Sequence, residues 1–147
     1  MATNNLTKAA GRHKKRSVCV AYAELAVDEM TTSADIYELM VFPEKTLVLN
    51  VSVVIGTAND SGTSAVADIG VDGGSEFLSA GDLTGAAETV LAGATDNDPT
   101  YLASGGTLTV LPTLVGTAQT AGMIRVCVSY VETDKVNGDL TNFSATA

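Results

Sequence analysis

The chain has no tryptophan, one histidine, two cysteines and three prolines in 147 residues, and each scarcity removes a class of chemistry. Nucleophilic hydrolysis needs an imidazole beside the nucleophile, and the single His13 stands inside a basic N-terminal segment. The same lack removes His-rich zinc sites, while Cys19 and Cys127 supply two thiolates where a structural zinc takes four ligands. Two cysteines do not make a disulfide framework of the secreted kind. They fall on the first and last strands and are expected to be small buried apolar residues, with a late disulfide or a redox role as the alternative. No phosphate-cradling glycine loop ends in Lys-Ser or Lys-Thr, and no strand-anchored Gly-x-Gly-x-x-Gly occurs, so neither a nucleotide nor any other cofactor is expected. With seven aromatics in all, a sugar-stacking cleft is poorly supplied. No run approaches the ~20 apolar residues of a membrane span, and no apolar stretch follows a basic one as in a secretory leader. The expectation is a protein made in a reducing cytoplasm, with no membrane partner and no small-molecule substrate.

Charge is scarce too, and unevenly placed. Lys8, Arg12, Lys14, Lys15 and Arg16 are five of the eight basic residues, and no acid precedes Glu24. Residues 17–147 hold three basic and all seventeen acidic residues, a net of −14. An acidic body argues against nucleic acid and for repulsion between copies. Residues 1–16 have no apolar face and no aromatic to stack on a base, so they read as an extended arm. Its Lys8, Arg12, His13, Lys14, Lys15 and Arg16 are the candidate binding residues, an electrostatic tether for an acidic partner or another copy's body.

What is abundant is the alternating strand. Residues 47–55 put Leu47, Leu49, Val51, Val53 and Ile55 on one face and Val48, Asn50, Ser52 and Val54 on the other, the period of a half-buried antiparallel strand. Residues 17–24 divide Val18, Val20 and Tyr22 from Cys19, Ala21 and Ala23. The second set is small, as is Ala65 with Ala67, and such faces suit either a subunit contact or tight packing within one chain. A strand over 35–42 closes at Pro43, and Pro43-Glu44-Lys45-Thr46 reads as a turn that pairs it with the next strand. Further strands follow at 65–71, 106–111 and 122–131, the last with Ile124, Val126, Val128 and Tyr130 inward. Between 72 and 102 the chain reads as surface loops and brief strands, pegged to the core by Phe77, Leu78, Leu83 and Tyr101. Seven or eight short strands and no long helix predict an all-β, antiparallel β-sandwich. The domain spans 17–132, between an arm at 1–16 and a tail at 133–147. Asp68, Asp72, Asp82 and the Asp96-Asn97-Asp98 cluster are the best calcium candidates, but their spacing matches no known loop, and turn-capping is the preferred reading, with no metal assigned.

Several stretches carry a resemblance. Tyr37-Glu38-Leu39-Met40-Val41-Phe42-Pro43 leads into Thr46-Leu47-Val48-Leu49-Asn50-Val51, followed by Ala67-Asp68-Ile69-Gly70-Val71-Asp72-Gly73. Then come Glu76-Phe77-Leu78-Ser79-Ala80-Gly81-Asp82-Leu83-Thr84, Gly106-Thr107-Leu108-Thr109-Val110 and Ala121-Gly122-Met123-Ile124-Arg125-Val126. Over about two thirds of the chain this succession resembles the small β-sandwich or jelly-roll virion proteins of tailed bacteriophages, the decoration (cement) and head-fibre group. The resemblance implies a jelly roll and a non-enzymatic capsid decoration protein. It implies a homotrimer that binds the major capsid protein on the outside of the head, with the arm reaching the shell. The alternatives are a head-fibre or tail component presenting residues 56–64 and 72–100 to the host surface, and, from another class, a lectin-like or carbohydrate-active module. Calcium-dependent thermal stabilisation would be the sign of the last.

Overall fold

The computed structural model describes residues 18–26, 35–60, 63–91, 99–116 and 119–133. Nine strands occur there: β1 (Cys19–Ala26), β2 (Tyr37–Phe42), β3 (Thr46–Thr57), β4 (Ser64–Val71), β5 (Leu78–Asp82), β6 (Val90–Leu91), β7 (Thr100–Leu102), β8 (Gly106–Val115) and β9 (Met123–Glu132). Among the described residues there is no helix. The pairing is nested: β1 with β9, β2 with β8, β3 with β6 and β7, and β4 with β5, all antiparallel. A long hairpin rolled onto itself gives this order, and it divides into two sheets, β1-β9-β3-β6 and β2-β8-β4-β5. This is an antiparallel sandwich with jelly-roll topology, in which β6 and β7 together occupy one strand position beside β3.

The core lies between the sheets. Leu25, Val51, Val53, Ile124, Val126 and Val128 enter it from the first sheet, and Phe42, Ala65, Ala67, Ile69, Leu108 and Val110 from the second. Phe42 meets Tyr130 edge to face across the gap, with ring centroids 5.6 Å apart. Phe77, Leu78 and Leu83 are buried, as their isolated apolar positions predict, whereas Tyr101 is 54% exposed. Tyr101 pairs with Leu47 on β3 and so takes the outer side of its sheet instead of pegging the core.

Two further expectations are corrected, and a third point, left open between a subunit contact and packing within one chain, falls to the latter. The inner face of β3 is Thr46, Val48, Val51, Val53 and Ile55, while Leu47 and Leu49 are only half-buried. Opposite β9, Val48 faces Tyr130 and Asn50 faces Ser129, so Leu49 is an extra residue. That β-bulge reverses the inward parity on its N-terminal side. Thr46 is fully buried, and its hydroxyl donates to the Pro43 carbonyl at 2.8 Å, which meets its hydrogen-bonding need. Second, 43–46 does not join a hairpin: β2 lies in one sheet and β3 in the other, and the turn, with Lys45 at φ 58°, carries the chain across. Third, the small faces point inward. Ala65 and Ala67 are buried in the core, and Cys19, Ala21 and Ala23 lie on the side of β1 that ends in buried Leu25.

Candidate functional site

The arm residues Lys8, Arg12, His13, Lys14, Lys15 and Arg16 lie outside the described residues, as does the 96–98 cluster. What is described is the end of the sandwich at which Val18, the first described residue, stands. Cys19 sits opposite Tyr130, and Thr133 donates its N–H and hydroxyl to the Lys45 carbonyl at 2.8 and 2.6 Å. Val18 and Thr133 therefore stand at one end of the sandwich, beside the 43–46 turn. The described surface is strongly acidic: eleven Asp and Glu against two cations, Lys45 and Arg125. Arg125 on β9 is held by Glu24 on β1 at 2.6 Å, which raises its pKa, and Glu24 and Arg125 are paired across the two strands.

Of the acidic residues singled out in the sequence, the described ones, Asp68, Asp72 and Asp82, cap backbone turns and strand ends. Asp68 accepts the Ala80 N–H at 2.6 Å, and Asp72 accepts the Thr107 N–H at 2.9 Å while its own N–H donates to the Thr107 carbonyl at 2.8 Å. Asp82 takes both the N–H and the hydroxyl of Thr84, at 2.8 and 2.6 Å, which holds its carboxyl below the ordinary range. Gly70 is required by this construction. A Cβ there would come within 2.3 Å of the Gly74 carbonyl carbon and 2.1 Å of a Glu76 carboxylate oxygen, where Glu76 accepts the Val71 N–H at 3.0 Å. The 72–76 turn is thus folded onto the second sheet: the Gly73 N–H donates to the Thr109 hydroxyl at 2.9 Å, which donates in turn to the Gly70 carbonyl at 3.2 Å.

At the opposite end, Asp60 gathers the 119–121 segment. One carboxylate oxygen accepts the Thr120 and Ala121 N–H groups at 2.8 and 2.9 Å, and the other accepts the Thr120 hydroxyl at 2.6 Å. The Thr120 hydroxyl, followed by these N–H groups, lowers its pKa to about 2. Asn59 donates to Gln119 beside it. The sequence marked this region only as a polar loop; the partner sixty residues on leaves no local signal. Among the described residues no three His, Cys, Asp or Glu side chains converge as a metal-binding group.

Cys19 and Cys127 occupy paired strands, as expected, but both are half-buried and not buried as expected, and they cannot bond to each other. Cys19 faces Tyr130 and Cys127 faces Tyr22, three positions apart along β9 and of opposite parity, so the two thiols lie on opposite sides of the sheet. A shallow open groove runs between the edge strands β1 and β2, lined by Ala23, Glu24, Leu25 and residues 36–39. Its polar groups are the Glu24 and Glu38 carboxylates and the Tyr37 phenol, among apolar neighbours.

No known protein family and no curated protein matches the sequence. The fold does have solved counterparts. A chain of the cyanophage Pam1 capsid asymmetric unit superposes with a TM-score of 0.58 at 20% identity, over 79% of this chain and 85% of that one. One in the acidic stable capsid structure of Helicobacter pylori bacteriophage KHP30 gives 0.60 at 14% identity, over 81% and 91%. A third, in the capsid of Ralstonia phage GP4, gives 0.57 at 15% identity, over 79% and 84%. At these identities what is shared is the fold: this chain has the rolled two-sheet sandwich of chains found in three phage capsid structures.

Proposed function

We propose that this chain is a non-enzymatic structural protein of a tailed-phage virion, made in the host cytoplasm and bound to the outside of the head as a cement protein. The observation that carries the reading is the likeness, over most of both chains, to chains of three phage capsid structures. The charge split adds to it. A +5 arm over residues 1–16 on an acidic body suits attachment of the arm to an acidic shell of major capsid protein while the bodies stay apart. Binding to the assembled shell and not to separated subunits would stabilise the intact head by mass action. Association of the chain into a homotrimer belongs to the same reading.

The test is co-sedimentation with empty heads of the source virus. Full-length protein should pellet with heads in dilute buffer and be released near 1 M salt, where the screening length falls to about 3 Å. Deletion of residues 1–16 should abolish pelleting. A full-length chain that never pellets with heads overturns the cement role; a deletion variant that binds undiminished overturns the tether.

A further inference from the structure

The two outer sides of the sandwich are unlike. Within the strands of the first sheet the charged residues are Glu24 and Arg125, held to each other at 2.6 Å, and Glu132, which pairs with buried Thr46 on the inner side. The outer side of the second sheet carries Glu38, Asp68 and Asp82, and the turn with Asp72 and Glu76 is folded onto it. Apolar groups divide the other way. Val18, Val20, Tyr22, Val90 and Tyr101, five of the eight large apolar residues that are exposed, lie on the first sheet's outer side. At the end where Val18 and Thr133 stand, this side has an apolar row. Val131 on β9 pairs with Leu47 on β3, and Leu47 with Tyr101 on β7; Val18, one residue before the Cys19–Tyr130 pair, adjoins Val131. Directly paired residues share a side of their sheet, so four uncharged side chains cross it from β1 to β7.

Two segments of the chain leave beside this row. Residues 1–17 hold Met1 and Leu6 as their large apolar residues, together with five cations. The row has no carboxylate to receive those cations, since Glu24 is held by Arg125, and an unpaired charge against apolar surface is penalised. Residues 134–147 hold Val136, Leu140 and Phe143 with two acids and one lysine. They start from Thr133, two residues past Val131, whose N–H adds a rung to the β9–β3 ladder at the Lys45 carbonyl. Four strands at ~4.8 Å spacing make the row about 14 Å wide, and residues 136–143 reach about 23 Å when extended. We propose that residues 134–147 double back over this end of the first sheet and pack Val136, Leu140 and Phe143 on Val18, Val131, Leu47 and Tyr101. The occupant of the face is the chain's own tail. The packing belongs to the single chain and stands whether or not the chain is bound to a phage head.

The experiment is methyl and aromatic NMR on the full-length chain. Nuclear Overhauser contacts are expected from the Phe143 ring or the Leu140 methyls to the methyls of Leu47 and Val131, within one chain. Phe143→Ser should remove them, shift the Leu47 and Val131 methyl signals and raise the rate at which hydroxyl radicals oxidise Tyr101. The Val90 methyls, at the other edge of the same outer side, should not move, which also shows that the variant is folded. Leu6→Ser should leave every one of these signals in place. If neither substitution changes the Leu47 and Val131 signals and no contact to them is found, the face is open and the proposal is overturned. If Leu6→Ser shifts them and Phe143→Ser does not, the arm is the occupant and the tail is not. A mixture of isotope-labelled and unlabelled chains separates the remaining case: contacts seen only between the two kinds of chain make the occupant a second copy, which overturns the assignment to the chain's own tail.

Discussion

The bulge at Leu49 makes neighbouring residues in the longest strand unequal in a way that strict alternation would invert. Val48 is 1% exposed and Leu49 is half-buried, although an alternation running back from Val51 and Val53 places Leu49 inside and Val48 outside. Val48→Ala removes two methyl-sized groups from a close-packed site. The transfer and cavity terms together amount to about 1.5–3 kcal/mol. Leu49→Ala removes a larger side chain from a site that is partly open to water, and its cost should stay under about 1 kcal/mol. Urea unfolding followed by circular dichroism, at one fixed protein concentration, resolves that difference; in a thermal scan it is about 2–4 °C for each kcal/mol. A stronger form uses deletion. Without Leu49, Val48 and Asn50 become consecutive, their partners Tyr130 and Ser129 already are, and the strand becomes regular. Deleting Leu49 should therefore be tolerated better than Val48→Ala. If Leu49→Ala proves the costlier substitution, or the deletion unfolds the domain, β3 is in the other register and the bulge is misplaced.

Three other outcomes follow from the same geometry. Gly70→Ala should destabilise by more than about 2 kcal/mol, since the new methyl meets Gly74 backbone that cannot swing aside; a melt within about 2 °C of wild type would refute the close approach. Asp60 has a folded pKa of about 2 against an ordinary 3.8. Its contribution is therefore complete above pH 4 and lost as pH falls through about 2. A carboxyl NMR titration should show that midpoint and, over the same range, loss of protection at the Thr120 and Ala121 amides; a midpoint near 4 removes the junction. Under oxidising conditions no bond should form between Cys19 and Cys127 of one chain. Two thiols per denatured chain should react with a thiol reagent, and an intrachain disulfide found by peptide mapping would require a different pairing of β1 and β9.

The period-two pattern and the spacing of Gly- and Asp-rich turns were enough to read an all-β sandwich, because alternation and turn chemistry are local properties of consecutive residues. The inward set of β9 and three of four pegs, Phe77, Leu78 and Leu83, were legible for the same reason: alternation marks the first, and the pegs are large apolar residues in otherwise polar stretches. The charge split between arm and body needs no structure at all. What needed tertiary structure was everything set by a partner distant in the chain. The parity of Leu47 and Leu49 depends on an unpaired residue opposite β9, about eighty positions away. The 43–46 turn looks the same whether it closes a hairpin or crosses between sheets, and only the pairing of β2 with β8 and β3 with β9 decides. The faces of β1 were read correctly as two sets, one large and one small, but a strand's period does not say which side is covered. That depends on which sheet lies against it, and here the covered side is the small one. The same choice leaves Val20 and Tyr22 exposed on a strand that is an edge of its sheet among the described residues.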